Sequence, residues 1–131
     1  MNREFVPYEQ AIALKELGFD EPCFGCWRSS LIPSNFTEFF LDIEFGMNES
    51  PRDWINSNFL NGACSAPIYQ QAFRFFREKG FLIDLSSHSK DEHEYYIQWE
   101  PDETFISDGY NIHEEMELEC LKKLIEIVKN K

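Results

Sequence analysis

The sequence predicts an α+β fold: two helix–hairpin units contributing to one mainly antiparallel four-stranded sheet, with helices packed on one face and a last helix at the C-terminus. Three observations predict it. Tyr8-Glu9-Gln10-Ala11 is echoed by Tyr69-Gln70-Gln71-Ala72, and Gly18-Phe19 by Gly80-Phe81. Each echo pairs a helix-like stretch ending at glycine with alternating, strand-like residues after it. Residues 112–129 then carry apolar positions at helical spacing. The expected organisation is a single domain over 1–131, with repeat units at about 7–45 and 67–99, an insertion at 46–65 and the C-terminal helix at about 112–129.

The elements follow in order. A first helix is expected from Pro7 to Leu17, with Tyr8, Ala11 and Ile12 on one face and Leu14 on its flank. Pro7 suits a first helical position and Gly18 the stop. Glu21 to Arg28 reads as a short strand. Residues 37–45 alternate cleanly: Phe39, Leu41, Ile43 and Phe45 against Glu38, Phe40, Asp42 and Glu44. Ser50-Pro51-Arg52-Asp53 has the chemistry of a helix start, so a short helix through Trp54 and Ile55 to about Phe59 is expected. Asn61-Gly62 signals a turn.

The second unit places Tyr69, Ala72, Phe73 and Phe76 on one helical stripe, with Phe75 and Ile68 about 100° around it. Phe81, Ile83 and Leu85 alternate with Leu82, Asp84 and Ser86, and Tyr95, Ile97 and Trp99 with Tyr96 and Gln98. These give a hairpin. Asn111 to Glu114 has the spacing of a capping box. Leu118, Leu121, Ile125 and Val128 form the apolar stripe of the last helix, widened by Leu124.

Composition excludes several classes. With 43% hydrophobic and 16% aromatic residues the chain can bury a core, so disorder is not expected. No apolar run reaches the roughly 18 residues that a bilayer span needs, and the N-terminal stretch has no signal-peptide core. A cytoplasmic protein is the expectation. Net charge is −12, and half of the 24 acidic residues lie in residues 84–119, where Lys90 is the only Lys or Arg. Phosphate backbones would be repelled, so no nucleic-acid partner is expected, with Arg74, Arg77 and Lys79 forming a local basic patch that runs against the trend. Basic proteins and divalent cations would be attracted. The competing reading is an acidic surface that keeps the protein soluble.

Cys23-Phe24-Gly25-Cys26, with Cys64 and Cys120, has the thiol count of a zinc site. Residues three apart on a strand point to opposite faces, so zinc, redox chemistry and a disulfide are not expected. His88 and His93 flank Asp91 and Glu92, and His113 sits beside Glu114. These read as hairpin-tip and helix-start residues, so no metal or cofactor is assigned. No sequence motif positions a catalytic residue. The aromatics Trp27, Phe40, Trp54, Phe75 and Tyr96 fall off the main apolar faces. Next to acids they make a candidate partner surface: Asp91, Glu92, Glu94, Tyr96, Glu100, Asp102, Glu103, Trp54 and Phe75. If this surface is functional, the hairpin acids and the acids at 100–103 should meet at one end or edge of the sheet. The competing reading for the aromatics is a second packing layer.

Three stretches carry a resemblance: Phe5 to Ala11 with Lys15 to Phe24, Ala66 to Lys79, and Leu118 to Lys129. Together they resemble a family of short uncharacterised proteins from Bacteroides-type gut bacteria, their phages and related mobile elements. The resemblance is lost from Arg28 to Gly62. It assigns no functional residue. It implies a small accessory protein acting on a host or phage protein. The expected function is thus an acidic, non-enzymatic protein-interaction module. The alternative is a small enzyme or ligand-binding domain with a carboxylate-lined pocket.

Overall fold

Helix α1 spans Tyr8–Glu16, and β1 (Gly25–Ser29) and β2 (Phe39–Asp42) follow it. A 3-10 turn at Asn56–Asn58 precedes β3 (Cys64–Ala66). Then come α2 (Tyr69–Glu78), β4 (Leu82–Ser89), β5 (Glu92–Glu100), β6 (Glu103–Ile106) and α3 (His113–Lys129). This computed structural model describes residues 4–29, 39–42, 55–58, 63–100 and 103–130. Most of the expected helix at 50–59, the Asn61-Gly62 turn, both ends of the strand at 37–45, Trp54 and Asp102 lie outside the described residues.

The α+β class and the C-terminal helix are as expected; the single four-stranded sheet is not. The described strands form two three-stranded antiparallel sheets, ordered β2-β1-β3 and β4-β5-β6. The chain divides into two compact units, Met1–Tyr69 and Gln70–Lys131. Each hairpin acquires a third strand: β6 follows β5 directly, whereas β3 comes from well down the chain to pair with β1. Residues 64–66, at the end of the insertion expected over 46–65, pair with β1. Residues 103–106, where no strand is expected, pair with β5. The central strand differs, being the first of its hairpin in one sheet and the second in the other.

In the N-terminal unit Phe5 bridges Ile68, and the Val6 amide donates to the Pro67 carbonyl at 2.8 Å. Trp27 donates its indole N–H to the Val6 carbonyl at 3.0 Å and meets Tyr8 edge-on at 6.2 Å. It is a packed, half-buried aromatic. Pro7 caps α1 rather than opening it, its carbonyl accepting the Ala11 amide at 2.8 Å. The buried residues of α1 are Ala11, Ala13 and Leu14, so its inner face is rotated from the expected one.

The two glycine echoes have one local cause. Gly18 and Gly80 both have positive φ, 99° and 101°. The Phe19 amide donates to Leu14 O and the Gly18 amide to Lys15 O; the Phe81 amide donates to Phe76 O and the Gly80 amide to Arg77 O. Both helices therefore end in a Schellman motif, closed by an apolar pair. Phe81 meets Phe76 edge-on at 5.8 Å, and Phe19 and Leu14 are both buried. Helix α2 has 10 residues against 9 in α1, which accounts for the offset growing by one between the two echoes. Gly18→Ala and Gly80→Ala are each expected to lower stability by about 1–2 kcal/mol, the cost of a side chain in left-handed backbone. An added Cβ would meet nothing within 4 Å at either site, so conformation alone sets the loss. Urea unfolding of each variant checks this, with a smaller loss expected for asparagine.

In the C-terminal unit the core lies between α3 and one face of the sheet. Tyr95 and Ile97 of β5 are buried, as are Met116, Cys120, Leu121, Leu124 and Ile125 of α3. Leu118 and Val128 are half-buried, so the stripe of α3 centres on Cys120, Leu121 and Leu124. Asn111 does not form the expected capping box. The cap is Ile112, in extended conformation and with no side-chain cap hydrogen bond. Glu114 and Glu115 still lie in the first turn, complementing the helix dipole.

Candidate functional site

Strand alternation in β4, β5 and β6 assigns one face of the C-terminal sheet to the core and the other to the outside. Registers Asp84–Tyr96–Ile106 and Leu82–Gln98–Thr104 run across the outer face. Leu82 is 61% exposed and Ile106 65%, on either side of half-buried Tyr96. The Tyr96 hydroxyl donates to Gln98 Oε1 at 3.2 Å. A shallow, open depression of about 360 Å³ adjoins this row, lined by Arg77, Phe81, Leu82, Ile83, Asp84 and Tyr96. Its floor is aromatic, with Phe81 buried and its ring tilted 30° to Trp99. Its rim holds one guanidinium and one carboxylate. The Arg77 guanidinium donates to the Ile83 carbonyl at 3.2 Å.

The candidate surface residues separate into groups. Glu94 and Tyr96 share the outer face. Asp91 and Glu92 are exposed at the β4–β5 turn. Glu100 and Glu103 are exposed register partners at the β5–β6 turn. Strand β5 runs from Glu92 to Glu100, which at ~3.4 Å per residue separates the two acidic groups by roughly 27 Å. The two groups therefore do not meet at one end of the sheet: the strand expected over Tyr95 to Trp99 runs the full length between them. Phe75 is half-buried on α2, its ring edge-on to Phe76 at 5.3 Å and under Lys79 Nζ at 4.7 Å. Leu82 and Ile106 are absent from the expected surface, and Arg77 is expected only as part of a local basic patch. Leu82 did carry a signal, an apolar residue at a polar-face position. Ile106 could have been found from Thr104-Phe105-Ile106, a β-forming run hidden by the acids before it.

The titratable clusters are satisfied within the protein. His93 is buried, and its ring nitrogens lie 2.7 Å from Ser87 Oγ and 3.0 Å from the Lys90 carbonyl. A carbonyl only accepts, so Nε2 carries the proton and Nδ1 accepts from the serine hydroxyl in the neutral ring. The arrangement orients the hairpin tip and uses both nitrogens. His88 Nε2 lies 2.8 Å from Glu94 Oε1, a hydrogen bond that raises the His88 pKa above its usual value. No cluster of three or more metal-binding side chains occurs among the described residues.

The thiols are buried as well. Cys23 precedes β1 rather than lying inside it, and Cys26 is its second residue. The CxxC thus spans the start of the strand, and alternation alone does not place its two side chains. Both are fully buried, as is Cys64. Burial pushes Cys23, Cys64 and Cys120 up to about 12, which keeps them as protonated, unreactive thiols. Cys26 Sγ accepts from Arg28 Nε at 3.0 Å. None of the four cysteines is joined in a disulfide.

Glu117 gives the clearest pH signature. Burial raises its pKa, against the opposing pull of His113, whose Nε2 is 3.5 Å away. A carboxyl held more basic in the folded state adds stability that is complete below the unfolded pKa and is lost as pH rises through the folded one. Glu117→Gln is therefore expected to raise the melting temperature at neutral pH. The gain should shrink as pH falls toward about 4, the unfolded carboxylate range. Melting curves across pH check the sign.

Comparison of the chain with protein-family models, curated proteins and solved structures finds no match. No helix among the described residues is long and apolar enough to cross a membrane.

Proposed function

We propose that this chain is a small interaction module, an accessory protein of a phage or mobile element acting in the cytoplasm. It binds a basic protein through the outer face of its C-terminal sheet. The observation that carries the reading is the Leu82–Tyr96–Ile106 patch, whose two aliphatic members are more than 60% exposed, one just before and one within the acidic stretch. Exposed aliphatic residues flanking an aromatic, with a charged rim, are the anatomy of a protein interface. Net charge of this sign favours a cationic partner and speeds encounter. The alternative, an enzyme or ligand-binding domain with convergent carboxylates, is less well supported. The depression beside the patch holds Asp84 as its one carboxylate and is open.

The test is affinity purification from the native host with the wild type and a Leu82→Ser/Ile106→Ser variant in parallel. A basic protein retained by the wild type at low salt, and lost both with the variant and at high salt, supports the reading. Retention of the same proteins by both forms overturns it. Asp84→Lys with Glu94→Lys should slow association and lower the melting temperature only slightly, because surface charge pairs such as His88–Glu94 contribute little to stability.

A further inference from the structure

The long edge of β4 away from β5 has no strand partner among the described residues. The Tyr95 amide and carbonyl bond to Ser107, and those of His93 bond to Tyr110, so both residues direct their backbone groups away from β4. Residues 94, 96 and 98 then face β4, where they pair with Ser86, Asp84 and Leu82. Antiparallel alternation leaves Ile83, Leu85 and Ser87 with backbone groups pointing away from β5. The Arg77 guanidinium on the Ile83 carbonyl independently confirms that direction. Among the described residues, no strand pairs along this edge.

Strand β4 itself carries few of the usual edge protections. Strand β4 is 8 residues long, contains neither proline nor lysine, and shows one register irregularity, near its end between Ser87 and Ser89. Its side chains set what an added strand would meet. Ile83 and Leu85 are half-buried on the core side, while Leu82 and Asp84 are exposed on the other. A strand beside it would place one set of residues next to aliphatic surface and the alternate set next to Asp84, within the acidic stretch.

We infer that the edge of β4 takes up an extended segment of another protein, with apolar and basic residues alternating, as a fourth strand of the C-terminal sheet. This rests on the interaction reading above and specifies its mode as strand addition. Backbone hydrogen bonds to Leu85 and Ser87 supply the pairing. Aliphatic contacts to Ile83 and Leu85 and cationic contacts to Asp84 supply the selectivity. A second copy of this chain is disfavoured as occupant, because each copy carries a net charge of −12.

The test is a titration of the isotope-labelled full chain with a short blocked peptide alternating valine and lysine, followed by amide NMR and hydrogen exchange. The Leu85 and Ser87 amides should shift, and their exchange should slow by about tenfold or more on saturation. A peptide alternating valine and glutamate, and one with the valines and lysines in separate blocks, should leave both amides unchanged. Asp84→Lys should weaken binding about tenfold, since a favourable cross-strand charge pair becomes a like pair. Shifts confined to Leu82, Tyr96 and Ile106, without protection of Leu85 and Ser87, would overturn strand addition while leaving the face reading intact. No change anywhere would overturn strand addition, with the face reading judged separately by the Leu82→Ser/Ile106→Ser variant. Concentration-dependent protection of Leu85 without peptide would also overturn the inference, by making a second copy the occupant.

Discussion

Asn56→Ala is expected to destabilise the protein by about 2–6 kcal/mol, because it strands two buried backbone groups at about 1–3 kcal/mol each. Asn56 is 4% exposed, in the 3-10 turn. Its Nδ2 donates to the Phe19 carbonyl at 2.7 Å and its Oδ1 accepts from the Ser65 amide at 2.8 Å. One partner can only accept and the other only donate, so the amide has one satisfactory orientation. The side chain ties the residue just after the α1 cap to β3, across 37 positions of sequence on one side and 9 on the other. Asn56→Asp should also destabilise, since a carboxylate keeps the Ser65 bond but presents a second acceptor to the Phe19 carbonyl. Marginal domains hold only about 5–15 kcal/mol in total, so either variant should show a large loss in urea midpoint. A loss below about 1 kcal/mol for the alanine variant would mean that water replaces the amide at both groups.

Phe76→Ala is expected to cost about 3–5 kcal/mol, the range for emptying a buried aromatic site. Phe76 is fully buried and makes edge contacts with Phe75 and Phe81. Its carbonyl also accepts the Lys79 and Phe81 amides that close α2. The substitution leaves those backbone bonds possible but removes the apolar pair that accompanies them. Phe76→Leu should lose much less, because volume is largely kept. Leu82→Ser and Ile106→Ser form the contrast, as exposed positions usually change stability by only about 0.5 kcal/mol. Chemical denaturation of all four variants tests the division between core and interaction surface. A Leu82 or Ile106 variant as damaging as Phe76→Ala would show the patch to be structural.

What could be read from the chain was local. Periodicity located the three α-helices and most of the hairpin strands, because side-chain spacing within one element reports its own geometry. The Gly-Phe echoes correctly marked both helix ends, and the structure gives their cause as two Schellman motifs. An echo of that kind reports the same cap chemistry at two places. The α2 stripe of Tyr69, Ala72, Phe73 and Phe76 is buried as expected, whereas α1 and α3 are rotated. Which apolar neighbour faces inward depends on what the helix packs against. The capping box at Asn111 also failed, because matching spacing does not ensure that the side chain reaches the amide.

Everything that joins distant residues needed the tertiary structure. The third strand of each sheet is short, three residues in β3 and four in β6. Runs of that length carry too little alternation to be recognised alone and become strands by pairing. Asn56 falls within the short helix expected up to about Phe59, and its burial is set only where Phe19 and Ser65 converge on it. The acids at 91–94 and 100–103 look adjacent along the chain, yet an extended strand holds them far apart. Composition and spacing alone determined the acidic character, the α+β class and the absence of any motif that places a catalytic group. The tertiary structure decided that Leu82 and Ile106 face outward and that β4 ends its sheet, because exposure and strand partnership belong to the assembled fold.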